Sequence, residues 1–101
     1  MAASTKVLYR GAASTTTTTT LYTVPSSTTT VISNIAVANT AATAATFTLS
    51  LDSVDIANAV SVAANSTTFI DLKQVLATTK LIKGGASATT VNFHISGVEL
   101  S

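Results

Sequence analysis

The only histidine, His94, is the first residue to consider for chemistry, because imidazole is the commonest general base in enzymes. A catalytic histidine normally needs a nucleophile and an orienting carboxylate that converge on it. His94 is instead flanked by Phe93 and Ile95, and strand alternation places it on the opposite face, together with Asn92 and Ser96. We therefore interpret His94 as a solvent-facing or interface residue.

The carboxylates are the next candidates, because metal sites and glycosidases depend on them. Asp52-Ser53-Val54-Asp55 superficially resembles a calcium loop, but it lacks the glycine and the distal glutamate of that motif. We interpret Asp52 and Asp55 as turn formers. One histidine and four separated carboxylates cannot fill an ordinary coordination shell, so we predict no metal site and no cofactor.

Three further features remain, of which the first two have structural explanations and the third is a candidate for binding. Gly84-Gly85 lacks the spacing of a phosphate-binding loop and is predicted to supply positive φ in a turn. Asn65-Ser66-Thr67 fits the glycosylation sequon but is interpreted as a turn. Tyr9 and Tyr22 are the candidate aromatic platforms for a carbohydrate. We assign no catalytic, cofactor-binding or metal-binding residue and predict that the chain is not an enzyme.

The composition excludes several classes of function. Only 9% of the 101 residues are charged and the net charge is +1, so nucleic acid and anionic membranes would find few cations to bind. Cysteine is absent, which removes disulfides and zinc–thiolate sites. No secretory signal and no apolar run of membrane-spanning length is visible, which favours a soluble chain. The polar surface must come from 21 Thr and 12 Ser.

Alternation of apolar and polar residues predicts an all-β protein. The clearest segment has Phe47, Leu49 and Leu51 alternating with polar residues. About eight short strands are predicted in all, a number typical of a sandwich or a small barrel. Their locations are 6–10, 18–24, the region 31–38, 46–52, 59–63, 68–72, 80–83 and 91–100.

Two local features are predicted in more detail. In the third segment, Val31, Ile35 and Val37 are assigned to one face, with Ile32 and Asn34 among the residues on the other. At most one helical turn is expected, at Leu72–Ala77, where Leu72, Val75 and Leu76 have the i, i+3, i+4 spacing.

We expect one domain over residues 6–101, preceded by a flexible arm at residues 1–5. Low charge and a surface rich in Thr, Ser and Ala favour close contact with other proteins, because little electrostatic repulsion opposes association. The arm and the Thr15–Thr20 run are the first candidates for such contacts.

The segment Leu21-Tyr22-Thr23-Val24-Pro25, followed by Thr28–Asn39, resembles small virion proteins of tailed bacteriophages, which often begin with a Tyr-x-Val-Pro strand. The closing Ile95-Ser96-Gly97-Val98-Glu99-Leu100 is similar to the last strand of those proteins, and the resemblance covers roughly Val7–Leu100. The pattern departs at Lys80–Gly85, where such proteins often carry a Gly-Asp pair.

The resemblance implies an antiparallel β-sandwich, jelly-roll-like, on the surface of a virion. It also implies a homo-oligomer, with a trimer as one form, that binds the major capsid protein. The leading expectation is a capsid decoration (cement) protein that clamps neighbouring capsid subunits after synthesis in the host cytoplasm. The alternative is a tail- or fibre-associated module that binds tail proteins and recognises a receptor or glycan.

Overall fold

The computed structural model describes residues 3–101, which form two four-stranded antiparallel sheets. No helix is present in these residues, and hence none that could span a membrane. The strands are β1 (Ala3–Ala12), β2 (Thr20–Thr23), β3 (Thr29–Asn39), β4 (Ala45–Leu51), β5 (Val54–Val62), β6 (Ser66–Leu76), β7 (Leu81–Ala86) and β8 (Val91–Leu100).

The strand order identifies the topology. The first sheet has the order β1-β8-β3-β6 and the second has the order β2-β7-β4-β5. Successive strands cross repeatedly between the two sheets, which is the arrangement of an eight-stranded jelly roll. The prediction of an all-β, antiparallel, jelly-roll-like sandwich is therefore confirmed.

The core lies between the two sheets and is built by the alternating apolar residues. Phe47 of β4 and Phe93 of β8 meet edge to face, with ring centroids 6.2 Å apart and an interplanar angle of 71°. This contact joins the centres of the two sheets, because both rings are buried. Ile35 and Ile95 are register partners within the first sheet and are also fully buried, so the core is continuous along it.

The face assignment in β3 is wrong on one side of a β-bulge. The register shifts between Ile32 and Asn34, where Ser33 is an extra residue opposite β8. Ile32 is consequently buried in the same core as Ile35 and Val37, while Val31 turns to the outer face. A bulge changes the phase of alternation, so a period-two pattern read across it misplaces the residues before it.

The helical turn expected at Leu72–Ala77 is also wrong, because β6 continues as a strand to Leu76. Its register pairs Val75 with Val31 and Leu76 with Thr30 of β3. Leu72 and Leu76 turn towards the core, and Val75 lies on the other face with 66% of its surface exposed. The residue spacing suited both structures, and pairing with β3 decided between them.

The arm expected at residues 1–5 lies partly outside the described residues, which begin at Ala3. Ala3–Thr5 form the beginning of β1 and pair with Leu100, Glu99 and Val98 of β8.

Gly84 and Gly85 do not have the positive φ that the sequence predicted; both lie within β7. Their role is to leave room for neighbouring backbone. A Cβ atom on Gly84 would lie 2.6 Å from the Thr48 carbonyl oxygen, and one on Gly85 would lie 2.5 Å from the Thr16 carbonyl oxygen. Gly85 thus lets the loop before β2 pack directly on β7, and Gly84 leaves room for the neighbouring strand β4.

The positive φ values belong to non-glycine residues, which lie in turns except for Ala59 in β5. Thr79, at φ 66°, is the one whose β-branched side chain suits that region least. We expect Thr79→Gly to raise the free energy of unfolding by about 0.5–1 kcal/mol, because glycine removes the cost of left-handed backbone. Urea unfolding measures the change.

The neighbouring Thr78 provides the control, because its hydroxyl donates a hydrogen bond of 2.9 Å to the Pro25 carbonyl. Thr78→Gly should lower stability through loss of that bond. If both glycine variants were destabilised equally, the strain at Thr79 would be disproved.

Candidate binding surfaces

A polar network closes one end of the sandwich and ties the two sheets together. The Tyr22 hydroxyl from β2 donates to Glu99 Oε2 of β8 and lies 2.9 Å from the Thr30 hydroxyl of β3. Lys6 of β1 forms a salt bridge with Glu99 at 3.3 Å. Tyr22 and Thr30 are buried, so each of these polar groups depends on the others for hydrogen bonding. The network stabilises the fold by joining β1, β3 and β8 of the first sheet to β2 of the second.

The network perturbs the pKa of two of its members. Burial raises the pKa of Tyr22 to about 12, and the hydrogen bond to Glu99 adds to that effect. The pKa of Glu99 is lowered, chiefly because the Tyr22 hydroxyl donates to its carboxylate and also because Lys6 is adjacent. Tyr22 is therefore neutral and Glu99 is ionised at neutral pH.

We expect Tyr22→Phe to change how stability depends on pH. The Tyr22 pKa is higher in the folded chain than in the unfolded chain, so its stabilisation is complete below about pH 10 and is lost as the pH rises towards 12. The Glu99 pKa is lower when folded, so its contribution is lost as the pH falls through the folded value.

The measurement is the difference in urea midpoint between the wild type and the Tyr22→Phe variant across pH, which isolates these two groups from other titrations. At neutral pH the variant should be less stable by about 1–2 kcal/mol, because Thr30 and Glu99 lose a partner. A difference that stayed constant from pH 7 to pH 12 would contradict the assignment of the alkaline step to Tyr22.

The outer face of the first sheet carries His94 in the position predicted for it. The β-ladder registers align Arg10, His94, Ala36 and Phe69 in one row across the four strands. Phe93 and Ile95 point into the core, while His94 is half-buried on the opposite face. No carboxylate or nucleophile occupies this row, and the next row on the same face holds Ser96 and Asp71.

The same face exposes apolar side chains. Phe69 is 68% exposed, Val75 is 66% exposed and Val7 is 45% exposed. The registers place Val75 beside Val31, and Val31 beside Val98, which makes a second, apolar row. An exposed apolar area that spans several strands is typical of a protein–protein contact surface.

A second apolar surface lies along the side of the sandwich where the edge strands β5 and β6 approach each other. We call it the open seam and define it by Val54, Ile56 and Val60 of β5 and by Ile70 and Leu72 of β6. Val54 is 67% exposed, and Ile56 and Val60 are each 39% exposed. Ile70 and Leu72 are partly buried against the core. Because β5 and β6 each lack a neighbour on one side, the seam combines apolar contacts with free backbone hydrogen-bonding groups.

The outer face of the second sheet is polar and carries a shallow groove of about 410 Å³. Thr17 and Thr18 lie on one side of this hydroxyl groove, and the register aligns Lys83, Ser50 and Asp55 across it. With strands about 4.8 Å apart, the Lys83 and Asp55 backbones stand about 10 Å apart. The groove presents a donor, an acceptor and several hydroxyls, which suits an uncharged ligand with many hydroxyl groups.

The structure separates the other residues singled out from the sequence. Asp52 occupies the β4–β5 turn at φ 53° and lies 3.6 Å from the Lys80 ammonium, whereas Asp55 faces the hydroxyl groove. Within residues 3–101 no group of three or more His, Cys, Asp or Glu side chains could hold a metal ion. Asn65 lies in the turn before β6, at φ 52°.

Neither tyrosine offers an open ring. Tyr22 is buried, and Tyr9 is half-buried with its hydroxyl bonded to the Ala12 carbonyl at 3.0 Å. The hydroxyl groove and the open seam were missed because their members come from distant segments. The one local signal was the polar alternation of Thr46, Thr48 and Ser50, which marks the outer side of β4.

Comparison with known proteins found no matching family model, no matching curated sequence and no matching solved structure.

Proposed function

We propose that this chain is a structural protein of a tailed-phage virion, a capsid decoration (cement) protein that stabilises the head by binding neighbouring capsid subunits. The observation that carries the proposal is the open seam, where exposed valine and isoleucine side chains stand beside two unpaired strand edges. An extended segment of a capsid subunit can add to an edge strand while its side chains cover the apolar residues.

The fold and the composition of the chain both support this role. The jelly roll is the fold that is implied by the similarity of Tyr22–Pro25 and Ser96–Glu99 to small phage virion proteins. A chain with 9% charged residues also has little long-range repulsion towards a lattice of other subunits. Thr15–Thr18 is exposed and remains a candidate for a further lattice contact.

The test adds purified protein to undecorated heads of the phage whose genome encodes the chain. We expect the protein to bind along the head and to raise the temperature at which the heads are disrupted. Labelled protein found at the tail tip alone, or heads whose disruption temperature does not change, would disprove the decoration role.

A matched pair of variants assigns the contact to the open seam. Val54 and Val75 are the same residue type and are 67% and 66% exposed, but they lie on different surfaces. Val54→Lys should reduce head binding about tenfold or more, because it places a charge in an apolar contact. Val75→Lys should leave head binding unchanged. Equal head binding by the two variants would show that the open seam is not the contact with the capsid.

A receptor- or glycan-binding module is the second candidate function, and the hydroxyl groove is the observation that favours it. With Tyr9 and Tyr22 unavailable as platforms, recognition would depend on Asp55, Lys83 and the surrounding hydroxyls. A screen against neutral glycans, with Asp55→Ala compared with Asp71→Ala on the other sheet, tests it. Binding that requires Asp55 but not Asp71 would support the second function over the first.

A further inference from the structure

The outer face of the first sheet has an unusual distribution of charge. Arg10 lies on the edge strand β1, and Asp71 lies near the exposed Lys73 on the opposite edge strand β6. Between them, the outer faces of β8 and β3 carry no Asp, Glu, Lys or Arg side chain, and His94 and Ala36 lie there side by side. The two salt bridges of residues 3–101 are Lys6–Glu99 and Lys80–Asp52, so within those residues neither Arg10 nor Asp71 forms a salt bridge.

We propose that this face binds the same face of a second copy of the chain, through a two-fold axis that runs parallel to the strands, midway between β8 and β3. Such an axis places β1 of one copy over β6 of the other. Arg10 of one copy then lies over Phe69 of the second copy, and Asp71 of the second copy lies one row away. The two-fold symmetry makes this contact occur twice. Each arginine gains a carboxylate and an aromatic ring.

The central strands are also complementary under this axis, since β8 of one copy faces β3 of the other. The large His94 meets the small Ala36, and Val98 meets Val31. At the edges, Val75 meets Thr5. The His94–Ala36 contact thus pairs a large residue with a small one and the Val98–Val31 contact pairs two apolar residues, as close packing between two sheets requires.

A second possible two-fold axis also lies in the plane between the two facing sheets but runs perpendicular to the strands. It is less favourable for Arg10. It places each strand over its own copy, so Arg10 faces the Val7 region of the same edge strand and meets no carboxylate. Asp71 then faces the Phe69 region. The axis parallel to the strands is therefore the one that pairs Arg10 with Asp71.

The area is sufficient for a modest dimer. Four strands about 4.8 Å apart and roughly nine residues long cover about 600 Å². Two copies together would bury about 1,200 Å², the lower limit of stable specific interfaces. Exposed Phe69 and Val75 supply the apolar part of that area. A contact of this size predicts a reversible dimer.

Sedimentation equilibrium of the full chain, from micromolar to millimolar concentration, tests the proposal. We expect a monomer–dimer equilibrium that Val75→Lys shifts towards monomer by tenfold or more in Kd. Val54→Lys, at a position of equal exposure on the second sheet, should leave Kd unchanged. A chain that stays monomeric at millimolar concentration, or that forms trimers, would overturn the proposal.

A charge-exchange experiment tests the axis itself. Arg10→Asp and Asp71→Arg should each abolish dimerisation, because each single variant brings two like charges together in both contacts. An equimolar mixture of the two variants should dimerise again, since both contacts of the mixed dimer then join opposite charges. Failure of the mixture to dimerise, while both variants remain folded by circular dichroism, would exclude this axis.

The proposed dimer does not depend on a role in the virion. Val54→Lys reports on head binding and Val75→Lys reports on self-association, so the two proposals can fail separately. Loss of the dimer with intact head binding would leave the proposed function in place. Intact dimerisation without head binding would leave the dimer in place and disprove the proposed function.

Discussion

Phe93→Ala should lower the free energy of unfolding by about 3–5 kcal/mol, because removing a fully buried ring loses its transfer energy and leaves a cavity. Phe93 is 0% exposed and meets Phe47 at the centre of the core, where no exposed side chain can move in to fill the space. A domain of this size has a total stability of roughly 5–15 kcal/mol, so about a fifth or more of it would be lost. Urea unfolding followed by circular dichroism measures the change.

Phe69→Ala is the matched control, because Phe69 is 68% exposed on the outer face of the first sheet. At a concentration low enough to keep the chain monomeric, its effect should stay within about 0.5 kcal/mol. Similar losses from the two substitutions would contradict the assignment of Phe93 to the core.

Gly85→Ala is the second large effect, with an expected loss of about 2–4 kcal/mol. The added methyl group would lie 2.5 Å from the Thr16 carbonyl oxygen and 2.6 Å from the Ser14 carbonyl oxygen. The loop cannot move away without cost, because the Ala86 amide donates a 2.9 Å hydrogen bond to that Ser14 oxygen. Urea unfolding gives the loss, and faster hydrogen exchange at the Ala86 amide would locate it.

Gly11→Ala supplies the control on another strand. The nearest atom to a Cβ at Gly11 is the Tyr9 hydroxyl oxygen at 3.5 Å, an ordinary contact. Its φ is not in the positive region, so alanine should be tolerated or should stabilise slightly by restricting the unfolded chain. A Gly85 variant as stable as the Gly11 variant would show that the loop does not pack on β7.

Alternation predicted the buried residues well where the strand itself has no extra residue in its ladders. Phe47, Leu49 and Leu51 in β4 are buried as the pattern requires, as are Phe93 and Ile95 in β8. The residue pattern was misleading at β3 and β6, for two different physical reasons. The bulge at Ser33 changes the phase within one strand, and the spacing of Leu72, Val75 and Leu76 suits a helix and a strand equally.

The candidate surfaces were harder to predict, because they depend on register between distant segments. His94 was placed correctly on a surface face, since only local alternation was needed. The alignment of Lys83, Ser50 and Asp55 requires the pairing of β4 with both β5 and β7, which no local pattern specifies. The burial of Tyr22 likewise depends on Glu99, 77 residues away.

The pairing of β1 with β8 has a consequence for the rate of folding. Ala3 is the register partner of Leu100 and Ala12 is the partner of Asn92, so the first and last strands of the jelly roll lie side by side. Forming this ladder closes a loop of nearly the whole chain, whose entropic cost is incurred before the contacts are gained. Folding should therefore be slow, on the order of milliseconds to seconds, and β1 should be among the last strands to acquire protection from hydrogen exchange.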